Sequence, residues 1–461
     1  MPIQKMKSGA WRIIFPLYRL YLGKHRAYIK GESIMLLSRR DVIKLFSAGP
    51  MLLGALSARA STAPKLVIVG GGIGGAAMAK YMRILNSSIQ ITLVEPNPSY
   101  IFCPGSNEVL NDSVPIQDLT VTYDTLRQRY DIKILQDRAT TIDYSRKRLH
   151  TAQGEKLPYD WLVVSTGPDF VCEAVDGYNP QLAQGDFPHA WKAGPQTLKL
   201  KKLYQNMPAG GTVVISAPPM PYRCPPAPYE RASFMAEWLK IHNPTAKILI
   251  LDSKSNFTLQ PHYEAFWREH FNYGTPQAMI EWVGSHAGGT VQTLDAANRT
   301  VITSAGERIK ADVINIIPPE RASAFARNND LNLGQAWVPI HPYDFRSQKD
   351  PAVFVIGDTS EASPMVKTGY MASNQAKWVA QIIHAEITGK DPGYPLWTNN
   401  CVAMAGEDFG MTITATFRFH KGRIELQQTL QSPLQDNPQL HALRASVARN
   451  WQRTFRRDIF E

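Results

Sequence analysis

The stretch that decides the fold is Lys65-Leu66-Val67-Ile68-Val69-Gly70-Gly71-Gly72-Ile73-Gly74-Gly75. Its β-branched first half predicts a buried strand, and a helical stretch over 76–85 follows directly. Between them lies the pattern G-x-G-x-x-G. Gly70 permits the tight turn, Gly72 lets a pyrophosphate approach the backbone, and Gly75 allows the helix to pack closely on the strand. The stretch therefore predicts a dinucleotide-binding unit with phosphates at the N-terminus of the helix.

The next predicted strand supplies the acidic residue that such a unit uses. Residues 89–94 form a second apolar run, and Glu95 follows it, 20 residues after Gly75. At this position a carboxylate binds a ribose hydroxyl of the dinucleotide. We base the prediction on the whole set of strand, glycines, helix, second strand and acid, because the glycine pattern alone is weak evidence.

Two later strand–turn motifs favour FAD as the dinucleotide. Residues 161–167 predict a strand ending in a small-residue turn, and residues 353–358 predict another, followed by a helix over 369–387. In flavoproteins with two dinucleotide domains, the first motif leads to the second domain, and the aspartate of the second contacts the flavin ribityl chain. Lys367 precedes a helix that would point at the flavin pyrimidine edge, where positive charge stabilises reduced anionic flavin. The candidate flavin-contacting residues in the two turns are Thr166, Gly167, Gly357 and Asp358.

The segment between these motifs contains a second unit of the same kind without a nucleotide loop. Residues 211–216 and 247–251 predict two strands, and Asp252 ends the second. The residues that follow the first strand, 217–226, include five prolines and no glycine. Proline has no N–H to offer a pyrophosphate. We therefore expect no NAD(P)H site here, so that electrons enter from a small substrate and leave to a partner.

The predicted fold class is α/β, with two Rossmann-like three-layer domains, the second inserted in the first, and a small α+β C-terminal domain. We expect residues 64–176 and 305–387 to form the FAD-binding domain and residues 177–304 to form the central domain without an NAD site. Residues 388–461 form the C-terminal domain, which we expect to cover the flavin and dock a partner. No metal site is predicted.

The basic residues of the chain are concentrated near its start. The 461 residues carry a net charge of +11, but residues 1–60 alone hold 11 Lys or Arg against 2 Asp or Glu. The rest of the chain is therefore close to neutral, and a general nucleic-acid-binding surface is not expected.

Residues 1–60 also predict an export signal. The pair Arg39-Arg40 precedes a mostly apolar run over 45–56, and Ala58-Arg59-Ala60 supplies small residues for signal peptidase. This order is typical of a twin-arginine signal, which exports folded proteins, often with a cofactor already bound. We therefore expect a periplasmic protein. Met35 is a candidate translation start, and a cytoplasmic extension is the alternative.

Several longer stretches give the chain a family resemblance. They are Ser106-Asn107-Glu108-Val109, Pro188-His189-Ala190-Trp191-Lys192-Ala193-Gly194, Arg223-Cys224-Pro225-Pro226, Tyr229-Glu230-Arg231-Ala232-Ser233, Ala311-Asp312-Val313-Ile314-Asn315 and Ile317-Pro318-Pro319. Through them residues 61–461 resemble the flavin-binding subunit of flavocytochrome c sulfide dehydrogenase, a branch of the sulfide:quinone oxidoreductase superfamily. The resemblance implies a periplasmic FAD protein that oxidises sulfide and passes electrons to a c-type cytochrome subunit in a heterodimer. The sequence contains no C-x-x-C-H motif, so we expect any haem to lie on another polypeptide.

The resemblance also implies roles for individual residues. Cys103 matches a cysteine that forms a thioether to the flavin 8α-methyl group, so covalent FAD is expected. Cys224 matches a redox cysteine over the flavin that accepts sulfide sulfur, and Glu230 matches a carboxylate that acts as acid or base. Together with Lys367, these two are the predicted catalytic residues. The alternatives are a buried free cysteine at 103, a helix-terminal charge at 230 and a solvated lysine at 367.

One position departs from the family pattern. The partner of the redox disulfide should lie two residues after Gly357-Asp358, and Ser360 stands there. Three interpretations follow: Cys224 acts alone through a persulfide, Cys172 replaces the missing partner, or sulfide oxidation has been lost while FAD is retained. Cys401, in the C-terminal region, is expected to be structural.

The C-terminal residues predict a basic amphipathic helix. Apolar residues recur at helical spacing from Leu440 to Ile459, with arginines interleaved. The helix either packs on its own domain, docks an acidic cytochrome or contacts a membrane surface for quinone access. The leading hypothesis is a sulfide:cytochrome c oxidoreductase. The alternatives are a sulfide:quinone oxidoreductase at the membrane surface and a non-catalytic flavoprotein or sulfur-binding subunit.

Overall fold

A five-stranded parallel sheet is organised around the strand that the first apolar run predicts. The structure is a computed structural model that describes residues 63–434 and 437–461, so the predicted signal at 1–60 lies outside the described residues. Neighbouring strands of this first sheet all pair in parallel. In spatial order the strands are Val353–Val355, Trp161–Val164, Lys65–Val69, Gln90–Val94 and Lys133–Leu135. The strand Val353–Val355 thus lies beside strands from the start of the described chain. The residues of the central sheet come between these strands in the sequence.

The central sheet has four parallel strands. In spatial order they are Ile280–Val283, Lys247–Asp252, Thr212–Ala217 and Val313–Ile316. The last strand corrects the domain boundary expected at residue 304, because it pairs with Thr212–Ala217. All four of its residues are buried. A short run buried on both faces fits either parallel sheet, so its pattern alone does not tell which sheet it joins. With two such sheets, the α/β class with two Rossmann-like domains is confirmed.

A three-stranded antiparallel sheet and a long helix form the small α+β C-terminal part. The strands are Leu396–Gly406, Phe409–His420 and Arg423–Gln431. The helix Pro438–Phe460 packs on this sheet and also reaches the glycine-loop helix Ile73–Leu85. There Lys80 Nζ donates to the Asp458 carbonyl at 2.8 Å. These contacts tie the end of the described chain to the dinucleotide-binding unit.

The remaining elements connect these three sheets. The other α-helices are Asp124–Gln128, Pro180–Gln184, Pro195–Gln205, Ala227–His242, Gln260–Phe271, Ala324–Asn328 and Gly369–Thr388. The small sheets pair Ser99–Ile101 with Thr120–Thr122, Pro168–Phe170 with Glu320–Ala322, Val338–Pro339 with Ser360–Glu361, Ala139–Asp143 with Arg148–Thr151 and Lys156–Pro158, and Val291–Asp295 with Thr300–Thr303 and Arg308–Lys310. Among the described residues, no helix has the length and apolar character needed to cross a bilayer.

The central sheet separates two hydrophobic clusters. Val213 and Ile215 belong to one cluster, and Val214, between them in the strand, belongs to the other. Because successive strand residues point to opposite faces, the two clusters lie on opposite sides of the sheet. The face of the central sheet on which a cysteine lies therefore determines which other cysteines can be close to it.

Candidate functional site

The glycine loop has the shape that the sequence predicts. Gly70 has φ +100°, and a Cβ there would lie 2.5 Å from the Ser165 carbonyl oxygen. A Cβ at Gly75 would lie 1.8 Å from the Gly70 carbonyl oxygen, so this glycine permits the close packing of helix on strand. A Cβ at Gly72, by contrast, would meet only a Tyr100 ring carbon at 3.7 Å. The protein leaves Gly72 open, as the approach of a pyrophosphate requires.

Glu95 is fixed beside this loop. One carboxylate oxygen accepts the Gly71 N–H at 2.8 Å, and the other accepts the backbone N–H and the side-chain amide of Asn97 at 2.9 and 2.6 Å. The carboxylate is therefore held at the loop, at the end of the second strand, where a ribose hydroxyl is expected to bind.

The two later turns flank the same end of the first sheet. Gly357 has φ +74° and donates its N–H to Gln375 Oε1 at 2.7 Å. In the Thr166-Gly167 turn, the threonine hydroxyl bonds the Ser323 hydroxyl at 2.6 Å. Asp358 Oδ1 is buried with no hydrogen-bond partner among the described residues. An orphaned acceptor at this position fits a ligand hydroxyl, and the loop and turns together fit a flavin dinucleotide.

Cys224 lies in a constrained loop that contacts the segment after Asp358. Its φ is +56°, a left-handed conformation that is uncommon for residues other than glycine. Its backbone N–H donates to the Lys367 carbonyl at 2.9 Å. Burial raises the pKa of the thiol well above its usual value, Cys401 and Glu230 raise it further, and the neighbouring Arg223 opposes them. The thiol is therefore protonated at neutral pH and needs a base to become a nucleophile.

Glu230 is positioned to be that base. It lies in the first turn of the helix Ala227–His242 and is partly buried. Its carboxylate accepts the Asn107 side-chain amide at 2.8 Å and the Met404 N–H at 3.0 Å. Burial raises its pKa to about 7, against the effect of these two hydrogen bonds. A carboxyl that titrates near neutrality can both accept and return a proton.

Arg231 joins four of the resemblance stretches in one buried network. Its guanidinium also lies over the Trp191 ring, 4.9 Å from the centroid. The oxygens that accept its N–H groups are those of His189 at 2.9 Å, Ala190 at 2.5 Å, Asn315 at 2.8 Å and Asn107 at 3.3 Å. Because Asn107 also donates to Glu230, the network sets the position of the carboxylate. The stretches that carry the resemblance therefore set the position of the Glu230 carboxylate and also contribute to the packing of the interior.

Lys367 is partly buried rather than solvated. Its ammonium donates to the Asp358 and Ser360 carbonyls, each at 2.8 Å, and lies 3.6 Å from the Trp337 ring centroid. Burial lowers its pKa. The lysine therefore holds the turn after Gly357, and a direct contact with flavin remains a prediction.

The structure separates Cys172 from Cys224. Cys172 packs in the cluster on one side of the central sheet, whereas Cys224 packs against the cluster on the other side. This corrects the interpretation that Cys172 replaces the missing disulfide partner. Ser360 itself is buried, and its hydroxyl donates to the Gly357 carbonyl at 2.8 Å.

Cys103 and Cys401 both lie near Cys224. Each contributes to the electrostatic environment of the Cys224 thiol. Cys103 Sγ accepts the Tyr100 hydroxyl at 3.5 Å. Cys401, expected from sequence to be only structural, is also an electrostatic neighbour of the Cys224–Glu230 pair. No spacing signal marked it, because 177 residues separate it from Cys224.

Glu320 is a site residue that the sequence analysis missed. It is 7 % exposed, and its Oε2 accepts the Arg223 N–H at 2.8 Å, next to Cys224. Its Oε1 is buried without a hydrogen-bond partner among the described residues. Burial raises its pKa to about 7. The available signal was its place directly after the Ile317-Pro318-Pro319 stretch.

In the central unit, the acid that a nucleotide would need already binds side chains of the protein. Asp252 ends its strand, and one oxygen accepts the Tyr229 hydroxyl at 2.5 Å and the Trp282 N–H at 2.9 Å. Lys254 Nζ donates to the other oxygen at 2.6 Å. The Tyr229 ring stacks on Phe257 with centroids 3.6 Å apart. Aromatic side chains thus fill the space and satisfy the acid that a nucleotide would need.

The C-terminal helix is anchored by its second half and exposed along its first. Asp458 accepts Lys377 Nζ at 2.7 Å, and Phe460 stacks on Tyr100 with centroids 5.6 Å apart. Leu443 is 59 % exposed and Val447 is 47 % exposed. The helix therefore packs on its own protein and also leaves an apolar stripe uncovered among the described residues.

Three features define the class of protein. They are a split parallel sheet with a glycine loop, a buried Asp358 oxygen without a hydrogen-bond partner among the described residues, and the Cys224 thiol near the same edge of the sheet. Together they define a flavoprotein with two dinucleotide-type domains. Family comparisons cover most of the described chain. The family described as "Pyridine nucleotide-disulphide oxidoreductase" matches residues 64–194. "Sulfide dehydrogenase [flavocytochrome c] flavoprotein chain, central" matches 197–318, and "Flavocytochrome c sulphide dehydrogenase, flavin-binding" matches 394–460.

Individual relatives agree with these families. The sulfide dehydrogenase [flavocytochrome c] flavoprotein chain of Chlorobaculum thiosulfatiphilum is 56 % identical over 45 residues, 10 % of this chain and 94 % of that sequence. The sulfide-quinone reductase of Aquifex aeolicus is 31 % identical over 157 residues, 34 % of this chain and only 35 % of that protein. The crystal structure of sulfide:quinone oxidoreductase from Aquifex aeolicus has a TM-score of 0.64 at 20 % identity, covering 86 % of this chain and 92 % of that one.

The chain belongs to the family of flavocytochrome c sulfide dehydrogenase flavoprotein chains, within the sulfide:quinone oxidoreductase superfamily. The resemblance drawn from the sequence is thereby confirmed, and the flavin-binding match supports FAD as the cofactor. The central match ends at residue 318, beyond the strand Val313–Ile316, in agreement with the corrected boundary.

Proposed function

We propose that this chain oxidises sulfide, or a related reduced sulfur species, at Cys224 and passes the electrons through FAD to a c-type cytochrome partner. The observation that carries the proposal is the pairing of the constrained Cys224 thiol with Glu230, whose pKa is about 7. FAD, when bound, accepts two electrons and releases them singly.

The residues of the chain account for the proton and charge requirements of such a reaction. Glu230 takes the proton of the Cys224 thiol, and Arg223 stabilises the thiolate, because its charge lowers the thiol pKa. The backbone bond to Lys367 holds Cys224 at the turn that carries Asp358. Gly70, Gly72 and Glu95 follow neighbouring strands of the same sheet, and they would hold the dinucleotide there.

The test is an anaerobic sulfide titration of the FAD-loaded protein, followed by loss of the oxidised-flavin absorbance. Wild type should bleach, Cys224→Ala should not, and Cys172→Ala should bleach like wild type because Cys172 lies across the central sheet. No bleaching of wild type at full FAD occupancy would overturn the proposal in favour of a non-catalytic flavoprotein or sulfur-binding subunit.

The thioether to Cys103 is part of the proposal. Cys103 is partly exposed, lies near Cys224 and Arg223, and receives a hydrogen bond from Tyr100. FAD should remain with the polypeptide after acid denaturation of wild type and should be released from Cys103→Ala. Release from wild type would show that the flavin is not covalently bound.

Quinone reduction is a second candidate, favoured by the exposed apolar stripe of the C-terminal helix. Leu443 and Val447 lie on this helix among arginines, as in helices that bind anionic membrane surfaces. Sulfide-reduced protein should transfer electrons to a c-type cytochrome without lipid. Transfer to a quinone that requires vesicles, and is lost in Leu443→Glu, would favour the second candidate.

We also propose that the protein acts in the periplasm after export through the twin-arginine route. The order of Arg39-Arg40, the apolar run and the small-residue site supports this. Cell fractionation should recover the protein in the periplasm, and the double variant Arg39→Lys, Arg40→Lys should accumulate in the cytoplasm. Periplasmic recovery of the double variant would contradict this route.

A further inference from the structure

The loop that carries Cys103 packs against the second half of the C-terminal helix. Just before the cysteine, the Phe102 ring is 1 % exposed and makes an edge contact with Phe455, with centroids 5.6 Å apart. The Tyr100 ring stacks on Phe460, and its hydroxyl donates to Cys103 Sγ at 3.5 Å. The helix therefore places a side chain that contacts the sulfur atom itself.

After the cysteine, the loop meets the same helix through Gly105. This glycine has φ +83°, and a Cβ there would lie 2.7 Å from Gln452 Oε1. A side chain would have to displace either the loop or the glutamine, so that only glycine permits this close approach. The backbone two residues after Cys103 is thereby held against Gln452.

Glu108 fixes the end of the loop to the helix. The residue is 1 % exposed, and its carboxylate oxygens accept hydrogen bonds from Gln452 Nε2 at 3.1 Å and from Arg449 Nε at 3.3 Å. Leaving a buried carboxylate without such donors is strongly unfavourable. Because both donors lie on the C-terminal helix, the helix determines where the loop lies.

The helix is in turn fixed to the unit that would hold FAD. Asp458 accepts Lys377 Nζ at 2.7 Å, and Lys80, on the helix after the glycine loop, donates to the Asp458 carbonyl at 2.8 Å. The Cys103 loop, the C-terminal helix and the dinucleotide-binding unit thus form one continuous set of contacts. Bond formation between Cys103 and FAD needs the two reacting atoms in a fixed geometry, and these contacts supply it.

We propose that Gln452 is a positioning residue for covalent flavin attachment and that it holds Cys103 in place through Glu108 and Gly105. The proposal rests on the thioether in the proposed function and deepens it. When the thioether forms, the S–H bond of Cys103 and one C–H bond of the 8α-methyl group break, and a C–S bond forms. The two electrons and two protons pass to the isoalloxazine of the same FAD, so this step needs no other oxidant.

The test follows attachment in the full chain, isolated at a series of times after the start of expression. At each time, total bound FAD is measured first, and the flavin that stays with the polypeptide in trichloroacetic acid is measured next. Gln452→Glu keeps the size of the side chain but places a carboxylate against Glu108. It should bind FAD as wild type does and attach it about tenfold more slowly. The matched variant Gln439→Glu, at an exposed position of the same helix, should attach FAD at the wild-type rate.

An exchange of the two side chains decides the proposal even where Gln452→Glu folds poorly. The double variant Glu108→Gln, Gln452→Glu again has one amide and one carboxylate at the contact, and it should restore the wild-type rate of attachment. Attachment by Gln452→Glu at the wild-type rate would overturn the proposal, and so would a double variant that attaches FAD no faster than the single one.

The outcomes separate this inference from the proposed function. Wild type that releases all its FAD in acid would overturn the thioether and this inference with it. Equal attachment in every variant would overturn the inference alone. Slow attachment in Gln452→Glu, in a protein whose wild-type flavin is not bleached by sulfide, would support the inference and overturn the proposed sulfide oxidation.

Discussion

Glu230 and Glu237 offer a matched pair for testing the proton acceptor. They lie two turns apart on the helix Ala227–His242, and burial raises the pKa of each to about 7. Each accepts one backbone N–H and one asparagine side-chain amide. Only Glu230 is among the groups that act on the Cys224 thiol. Glu230→Gln should therefore remove the base, whereas Glu237→Gln makes the same chemical change away from the thiol.

The size of the effect follows from the pKa. A base with a pKa of about 7 is roughly 3 % ionised at pH 5.5 and roughly 97 % ionised at pH 8.5. Base-assisted flavin reduction is therefore favoured above pH 7 and is lost as pH falls through it. The rate for Glu230→Gln divided by that for Glu237→Gln should fall up to about 30-fold between these two pH values.

The assay is anaerobic stopped-flow reduction of the flavin by sulfide at a series of pH values. Taking the ratio of the two variants at each pH cancels the ionisation of sulfide itself, which both variants share. A ratio that stays constant from pH 5.5 to 8.5 would refute the assignment of Glu230. If Glu320→Gln alone removed the pH dependence, the base would instead be the carboxyl beside Arg223, whose pKa is also about 7.

Three further predictions concern the fold and the cofactor. Gly72→Ala should keep the thermal unfolding temperature of the wild-type apoprotein but lose most of the bound FAD absorbance. Gly75→Ala should instead lower the unfolding temperature, because its Cβ would overlap a backbone oxygen at 1.8 Å. Equal behaviour of the two variants would contradict the role of Gly72 in the close approach of the pyrophosphate. Arg231→Met should lower the free energy of unfolding in urea by about 3 kcal/mol or more, because it leaves several buried acceptors without donors; a change below about 1 kcal/mol would mean that the network is not a main source of stability. NADH and NADPH should leave the flavin oxidised under anaerobic conditions, because Tyr229 and its neighbours already bind Asp252; rapid bleaching by either would show a nucleotide site in the central unit.

Local sequence rules predicted the glycine loop and four of the five strands of the first sheet, all except Lys133–Leu135. The strand Lys65–Val69, the helix after Gly72 and the carboxylate of Glu95 follow from steric and hydrogen-bonding requirements that act over a few residues. The strand Val313–Ile316 was assigned to the wrong side of a domain boundary, because a short buried run carries no mark of the sheet it joins.

The site depended on contacts between residues far apart in the chain. Cys224 and Glu230 were found through the family resemblance, but Cys401 and Glu320 come to the site only through tertiary packing. For Cys172, the sequence suggested a partnership with Cys224 that the structure does not support. Its position in a loop did not reveal that the central sheet separates it from Cys224. One-dimensional spacing cannot show which face of a sheet a distant residue occupies.

The central claim is that sulfur chemistry occurs at Cys224 and delivers electrons to the flavin. The most direct measurement combines the two events in one sample: holoprotein receives less than one equivalent of sulfide without oxygen, and alkylation traps sulfane sulfur while the flavin spectrum is recorded. The account predicts one added sulfur atom on Cys224 before turnover is complete, with oxidised-flavin absorbance falling in proportion to the sulfide consumed. Flavin bleaching without any sulfur on Cys224, or sulfur carried by another cysteine, would contradict it.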